Sequence, residues 1–301
     1  MAREYAKTLT SLGSKFHVIG RGSSSAKEFK SLLNIPVFTG GVEKALISMT
    51  IPDQAIIAVG VENLANTATI LMESGVKRIL LEKPGGVGLE EIQNLKLIAH
   101  KKNCTLLLAY NRRFYSSTEA AIKMIEEDGG ASSCTFEFTE WSHIIGPLKK
   151  GPGVKSSWFL SNSTHLVDLA FHICGFPKEL NAINEGSLSW HPSSSRFCGS
   201  GITSDNVLFS YIADWTSPGR WGLEVMTSKR RIILRPLEEV RVVELGSIDE
   251  KSIEIQNEID IQFKPGIHKM VMSFLEQDDR LFCSIDEQLS HMDIYNKMAG
   301  Y

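Results

Sequence analysis

Arg78-Ile79-Leu80-Leu81-Glu82-Lys83-Pro84-Gly85-Gly86 is a short apolar run that stops at a charged pair, a proline and two glycines. Being apolar on both faces and only a few residues long, it reads as a strand buried inside a parallel sheet. Ala55–Val59 upstream and Cys104–Ala109 downstream have the same character. Between these runs the apolar spacing turns helical: Leu64, Ala68 and Leu71 are closed by Gly75, and a second stretch runs around Ile92–Ile98. Strands alternating with helices of about ten residues build βαβ units. Toward the start, Phe16–Gly20 is one more strand, and Ser25 is placed to cap a helix carrying Phe29, Leu32 and Leu33. Tyr5, Leu9 and Leu12 predict a first helix that Gly13 ends.

After Tyr110 the texture changes. A helix over Ala120–Ile125 precedes Ser133–Glu140, where Cys134, Phe136 and Phe138 alternate with polar residues as in a half-buried strand. A helical stretch holding His165, Asp168, Leu169 and His172 is closed by Gly175. From Glu179 to Gln262 the pattern is mostly strand, and two helices, around Lys269–Leu275 and Asp286–Met298, end the chain. Consecutive strands imply a mostly antiparallel sheet. The fold class predicted is therefore α/β: a Rossmann-type dinucleotide-binding domain over residues 1–110, then an α+β domain over 111–301 with a large open sheet. The last helices are expected to pack back on the first domain.

Bulk properties narrow the function. The 301 residues are 43% hydrophobic and 22% charged with a net charge of −3, an ordinary soluble composition without the dense basic stripe that nucleic acid requires. A mild basic excess before residue 110 suits a phosphate-bearing ligand, and a solvated surface explains it equally well. No apolar run approaches the length of a membrane span, and the first residues have no apolar core of a signal peptide. Five cysteines at scattered positions, without a Cys-x-x-Cys pair, predict reduced thiols in a cytoplasmic protein and no metal site.

A Rossmann half opens with a strand, a Gly-x-Gly-x-x-Gly turn and a helix that holds the pyrophosphate. This sequence begins at the helix. In the usual strand order the first strand is central, so its absence leaves Phe16–Gly20 and Ala55–Val59 flanking a gap. Either the native product starts upstream of Met1, or the sheet closes up and loses the phosphate turn. A domain that binds no dinucleotide is the remaining alternative. Where the second strand ends, NAD-binding domains place an acidic residue on the ribose hydroxyls, whereas an arginine accommodates a 2′-phosphate. Arg21, followed by Ser23 and Ser24, thus leans toward NADP over NAD, the competing reading being an ordinary Gly-Ser turn. Lys83 stands beyond the carboxyl end of a parallel strand, where ligands bind in such sheets. An ammonium there can hydrogen-bond a substrate hydroxyl and exchange its proton as hydride leaves the carbon.

Ala58-Val59-Gly60, Leu81-Glu82-Lys83-Pro84, Ala109-Tyr110-Asn111-Arg112-Arg113-Phe114 and His165-Leu166-Val167-Asp168, in this order, resemble the glucose–fructose oxidoreductase / inositol dehydrogenase / rhizopine catabolism (Gfo/Idh/MocA) family. The resemblance covers nearly the whole chain. It implies a nicotinamide-dependent oxidoreductase acting on a secondary hydroxyl or ketone of a sugar, nucleotide sugar or cyclitol. It makes Lys83 and His165 the catalytic acid/base pair. Gly60, Glu82, Pro84, Asn111 and Arg112 fall beside the cofactor, and Arg113 and Asn162 beside the substrate. It also implies a homodimer or homotetramer formed through the second-domain sheet. The family often has Asp four residues before the histidine. Ser161 stands there, with Asn162 beside it, and Asp168 is expected to bind within its own helix. Members with an Asn-Ser-Thr-His segment resemble those of surface-polysaccharide pathways. A non-catalytic regulatory member of the same fold is the rival reading.

Overall fold

The computed structural model describes residues 1–301, which divide into two compact units: Met1–Ala109 with Ile267–Leu289, and Tyr110–Gly266 with Ser290–Tyr301. The first unit is α/β. Its elements are α1 (Ala2–Ser11), β1 (Val18–Gly20), α2 (Ser23–Leu33), β2 (Val37–Thr39), α3 (Gly41–Ser48), β3 (Gln54–Ile57), α4 (Leu64–Ser74), β4 (Arg78–Leu81), α5 (Leu89–Lys102) and β5 (Thr105–Leu108). The strand β4 is buried along its whole length and pairs in parallel with β3 on one side and β5 on the other. The short strand Cys283–Ser284 adds to β5 antiparallel.

The strands β1 and β2 pair in parallel with each other but form a separate two-stranded sheet. Of the alternatives weighed from the sequence, closure of the sheet is not the one adopted: β1 and β3 share no ladder. The burial follows from this. All of β1 and the first three residues of β3 are only half-buried, whereas β4 has no solvent exposure beyond Arg78.

Three local readings differ from the sequence expectation. The helix α2 starts at Ser23 behind Gly22, so Ser25 lies in the first turn, donating to the Gly22 carbonyl at 3.2 Å instead of capping. Leu32 is 57% exposed because that face of α2 meets no neighbour. The elements β2 and α3 gave no sequence signal, being too short to show a period.

The second unit is α+β. It contains α6 (Ser116–Glu127), β6 (Ser133–Glu137), the one-turn α7 (Ser142–Ile145), α8 (Thr164–Cys174), β7 (Pro177–Glu185), β8 (Arg196–Thr203), β9 (Leu208–Asp214), β10 (Gly222–Met226), β11 (Arg230–Leu234), β12 (Val240–Glu244) and β13 (Lys251–Ile253). These eight strands form one sheet in the order β13-β12-β11-β10-β6-β9-β8-β7, antiparallel except where β6 meets β9. The helix α8 packs on β6 and β10. Phe136, stacked on Tyr211 at 5.5 Å and edge-on to Phe171 at 5.7 Å, centres that core. The other face is open and carries Ile183, Leu208 and Ile212, each more than half exposed. Glu258–Gln262, included in the strand-rich stretch by the sequence reading, is helical. All five cysteines are free, and no helix is long and apolar enough to cross a membrane.

A two-stranded sheet is marginal on its own, whereas a buried three-stranded parallel ladder opens only with its core. Native-state hydrogen exchange is therefore expected to show the amides of Val18–Gly20 and Val37–Thr39 exchanging at least tenfold faster than those of Ile79–Leu81. Equal protection of the two sheets would contradict this account of the first unit.

Candidate functional site

In the first unit the residues singled out from the sequence gather at the carboxyl ends of parallel strands. Glu82 continues the ladder, its N–H donating to the Ile57 carbonyl at 3.0 Å, and the Gly85 N–H closes a turn onto the Glu82 carbonyl at 3.2 Å. Lys83 is 4% exposed, and the Lys83–Pro84 peptide is cis. Gly85 has φ +94°, and a side chain there would press on Ile92 and Leu108. The Tyr5 hydroxyl donates to Glu82 Oε1 at 2.7 Å. Burial, reinforced by the Glu82 carboxylate, pushes the Tyr5 phenol well above its ordinary pKa. It stays protonated and holds Glu82 in place. The turn is held from below by the Val87 N–H donating to Glu91 Oε2 at 2.7 Å and from the side by Gln288 Nε2 donating to the Pro84 carbonyl at 3.3 Å.

Arg21, at the end of β1, is exposed and donates from Nη1 to Asn63 Oδ1 at 3.0 Å, just before α4. Ser23 and Ser24 are exposed in the first turn of α2, where Gly22 offers no side chain to cap the leading amides. Gly60 is exposed after β3, on the loop into α4. Arg21, Ser23, Ser24 and Gly60 thus lie at strand ends or helix starts, the positions where parallel sheets take anionic ligands.

In the second unit, Asn111–Phe114 form a single 3₁₀ turn. Asn111 is 3% exposed with its amide donating to the Pro265 carbonyl at 2.9 Å, while its Oδ1 accepts from Arg112 Nη1 at 3.1 Å. The Asn111 carbonyl also lies so close to Gly266, at φ +72°, that a Cβ there would stand 2.0 Å from it. Arg112 lays its guanidinium over the Trp221 ring, 4.9 Å from the centroid. Arg113 is buried and gripped by Asp168 at 2.9 and 2.6 Å, two parallel bonds between groups with 4% and 1% side-chain exposure. The structure differs here from the sequence expectation. Asn111 and Arg113 hold the turn and the helix instead of offering free ligand contacts, and Asp168 binds across to Arg113, not within its own helix.

His165, half-buried in the first turn of α8, stands edge-on to Tyr110 at 6.1 Å and beside Trp221 at 6.3 Å. Before it, Phe159–Ser163 form a π-helical turn, a local irregularity that is frequent at functional sites. Ser161 points its hydroxyl at the Val154 carbonyl, 3.4 Å away. Asn162 and Ser163 turn instead to Glu140: Asn162 Nδ2 donates to both carboxylate oxygens at 2.9 and 3.1 Å, and Ser163 Oγ to Oε1 at 2.8 Å. Glu140 is thus the carboxylate bonded to this helix start. Arg112, Glu140, Trp158, Asn162 and Trp221 line a cavity of about 350 Å³.

Glu140 carried a signal in the sequence. It continues the inward register of Cys134, Phe136 and Phe138, and an acid on an inward-facing position asks for partners. The contacts of Trp221 had no such signal, since an aromatic at a strand start reads as core by default.

No protein-family model matches the chain, and no curated protein sequence matches it. Solved structures do match it over almost its whole length. UDP-N-acetylglucosamine 3-dehydrogenase from Acidithiobacillus ferrooxidans superposes with a TM-score of 0.74 at 13% identity, covering 99% of this chain and 93% of that one. Levoglucosan dehydrogenase in complex with NADH and levoglucosan gives 0.76 at 16% identity, covering 99% and 92%. A super-repressor mutant of Gal80p from Saccharomyces cerevisiae gives 0.79 at 13% identity, again covering 99% and 92%. At these identities the likeness is one of fold. That fold is the one expected from the sequence, a Rossmann-type α/β unit followed by an α+β unit with a large open sheet.

The pair Arg113–Asp168 has a titratable neighbour. His291 is 7% exposed, stacked on Phe176 at 3.8 Å, and burial holds its pKa at about 4, with Asp168 opposing that shift and Arg113 adding to it. A histidine depressed below its ordinary 6.5 contributes stability that is complete above pH 6.5 and is lost as pH falls toward 4. Denaturant titrations of the wild type should lose on the order of 3 kcal/mol across that window from this group. His291→Gln should remove that part of the slope. An unchanged slope in the variant would show that His291 does not titrate as described.

Proposed function

We propose that the chain is a nicotinamide-dependent oxidoreductase acting on a secondary hydroxyl or ketone of a sugar, nucleotide sugar or cyclitol. The observation that carries this reading is the placement of Lys83, buried in the Glu82-Lys83-Pro84 turn at the carboxyl end of β4. Its support from outside the chain is that two proteins of the same fold are a nucleotide-sugar dehydrogenase and a sugar dehydrogenase with NADH.

The residues present fit the ribose end of a dinucleotide: exposed Arg21, Ser23 and Ser24 surround the uncapped start of α2. Arg21 favours NADP(H), because its guanidinium matches a 2′-phosphate. Gly60, Glu82, Pro84 and Arg112 are the further cofactor contacts in this reading, with Asn111 acting through Arg112. A bound nicotinamide supplies the hydride acceptor or donor. Lys83 polarises the substrate oxygen and exchanges its proton, and His165 serves as its proton partner. Asn162 orients substrate, and Arg113 holds α8 in register. The open face with Ile183, Leu208 and Ile212 is the surface for a homodimer or homotetramer. In this reading a role in surface-polysaccharide synthesis is supported only by the likeness of the Asn162–His165 segment to that of members in such pathways.

A second reading, a regulator that binds sugar without turnover, is favoured by one observation: the fold is shared with Gal80p. Lys83→Met separates the two. It removes the charge and keeps the apolar stem, so kcat should fall roughly 10²–10⁴-fold, with a much smaller change in cofactor Kd. Thermal melting of the variant checks that the fold survives, and removal of exposed Lys149 serves as the neutral control. Equal turnover by wild type and Lys83→Met would refute the catalytic role. Arg21→Asp should shift preference from NADP(H) toward NAD(H) by at least tenfold in kcat/KM. No shift would make Arg21 a turn residue.

A further inference from the structure

Beside the cavity of about 350 Å³ lies a second one of about 550 Å³ in the same unit, and Glu140 and Trp141 line both. Trp141 is 51% exposed, an unusual position for a residue type that is highly buried on average. Its ring is nevertheless held in place, the indole Nε1 donating to the Gly219 carbonyl at 2.9 Å across 78 residues of chain. The exposed ring of His143 runs nearly parallel to it, at 23° and 6.4 Å between centroids. An indole whose N–H is already bonded, and whose surface is half exposed, has an apolar face left to offer. Such a face suits stacking against a ring.

Thr216 and Ser217 line the second cavity and are exposed. Both hydroxyl hydrogens are committed, Thr216 Oγ1 donating to Asp214 Oδ1 at 2.6 Å and Ser217 Oγ to Oδ2 at 3.0 Å. The bond from Thr216 is the leading cause that holds the Asp214 carboxyl below its ordinary range, so the carboxylate accepts and the hydroxyls donate. What the two exposed hydroxyl oxygens have left for a ligand is acceptor capacity. A sugar hydroxyl has a hydrogen to give them, whereas the oxygens of an ionised phosphate only accept. No lysine or arginine lines the second cavity. In the first, Arg112 and Arg220 are set against Glu140 and Glu238. An uncharged polyol therefore fits the second cavity better than a diphosphate does. Both volumes lie within the usual range for small-molecule sites, roughly 300–1,000 Å³, with room for one sugar ring each.

We propose that the second cavity is a subsite for a second, uncharged sugar ring, stacked on Trp141 and donating hydroxyl hydrogens to Thr216 and Ser217. The substrate is then a disaccharide or the end of a longer saccharide, not a single ring. This deepens the oxidoreductase reading and rests on it for the first cavity, where Asn162 orients the reacting ring. Its own test is a binding test. Contacts to a ring that does not react add binding energy that a single ring cannot reach.

The experiment titrates the full chain, without cofactor, by calorimetry. The probes are cellobiose, maltose, lactose and trehalose, their component monosaccharides glucose and galactose, and UDP-glucose. At least one disaccharide should bind at least tenfold more tightly than either of its component rings. Trp141→Ala should cut that ratio at least fivefold. Thr216→Val, which keeps the side-chain shape and loses the oxygen, should cut it at least twofold. Both variants should melt with the wild type, since both side chains are exposed. Binding by no disaccharide, a ratio near one, or a ratio that survives in Trp141→Ala overturns the proposal. So does UDP-glucose binding more tightly than every disaccharide. A Trp141-dependent ratio with no turnover by any nicotinamide cofactor would leave the proposal standing and sink the oxidoreductase reading. Turnover of a monosaccharide with no Trp141-dependent ratio would do the reverse.

Discussion

An arginine cannot shed its charge at any ordinary pH, so a guanidinium with 4% of its side chain exposed needs a partner that matches it bond for bond. Asp168 is that partner, and the pair decides the layout of the second unit. It ties the Asn111–Phe114 turn to the helix that begins at Thr164. His165 lies three residues before Asp168 on the same helical face. Arg112, next to Arg113, is thereby directed onto Trp221 instead of the helix. Removing either member would strand a buried charge, which typically costs 3–5 kcal/mol. The turn is pinned from its other side as well. Asn111 reaches Pro265, and only a glycine at 266 allows the approach of its carbonyl.

Much of this architecture was legible in the residues. Arg78–Leu81 is a strand because an uninterrupted apolar run between a glycine-ended helix and a Lys-Pro-Gly-Gly turn admits no other element. The ends of α4 at Gly75 and of α8 at Gly175 were marked the same way, and Gly75 has the left-handed conformation that a helix end favours. The strands and helices of the second unit followed from the change of period after Tyr110. What the sequence hid were features whose cause is tertiary. Three-residue β2 exists because β1 pairs with it. The ligand-like residues Asn111 and Arg113 became supports because the turn that holds them is buried. Glu140 and Trp221 meet their partners across long stretches of chain that no local spacing reports.

The separation of β1–β2 from β3–β5 bears on how the first unit carries a ligand. Three of the strand ends that hold the expected ligand contacts belong to two different sheets, with Arg21 on one and Gly60 and Lys83 on the other. One link between them is a side-chain bond, Arg21 to Asn63, and Asn63 in turn donates to Glu62 at 2.7 Å. The polar cluster of the second unit has the opposite character, since Glu140, Asn162 and Ser163 hold one another in place. Preorganised groups of this kind give selectivity at little cost in ordering.

The central claim is that hydride passes between a nicotinamide and a carbon of a sugar or cyclitol held by this chain. The most direct measurement is isotope transfer. The protein is incubated with NADPH or NADH deuterated at the transferring position of the nicotinamide ring, together with keto-sugars and inosose, and the products are read by mass spectrometry and deuterium NMR. The account predicts one deuterium on a single carbinol carbon of the product, lost when Lys83 is replaced by Met. Products without deuterium, or label that persists unchanged in the Lys83 variant, would contradict it.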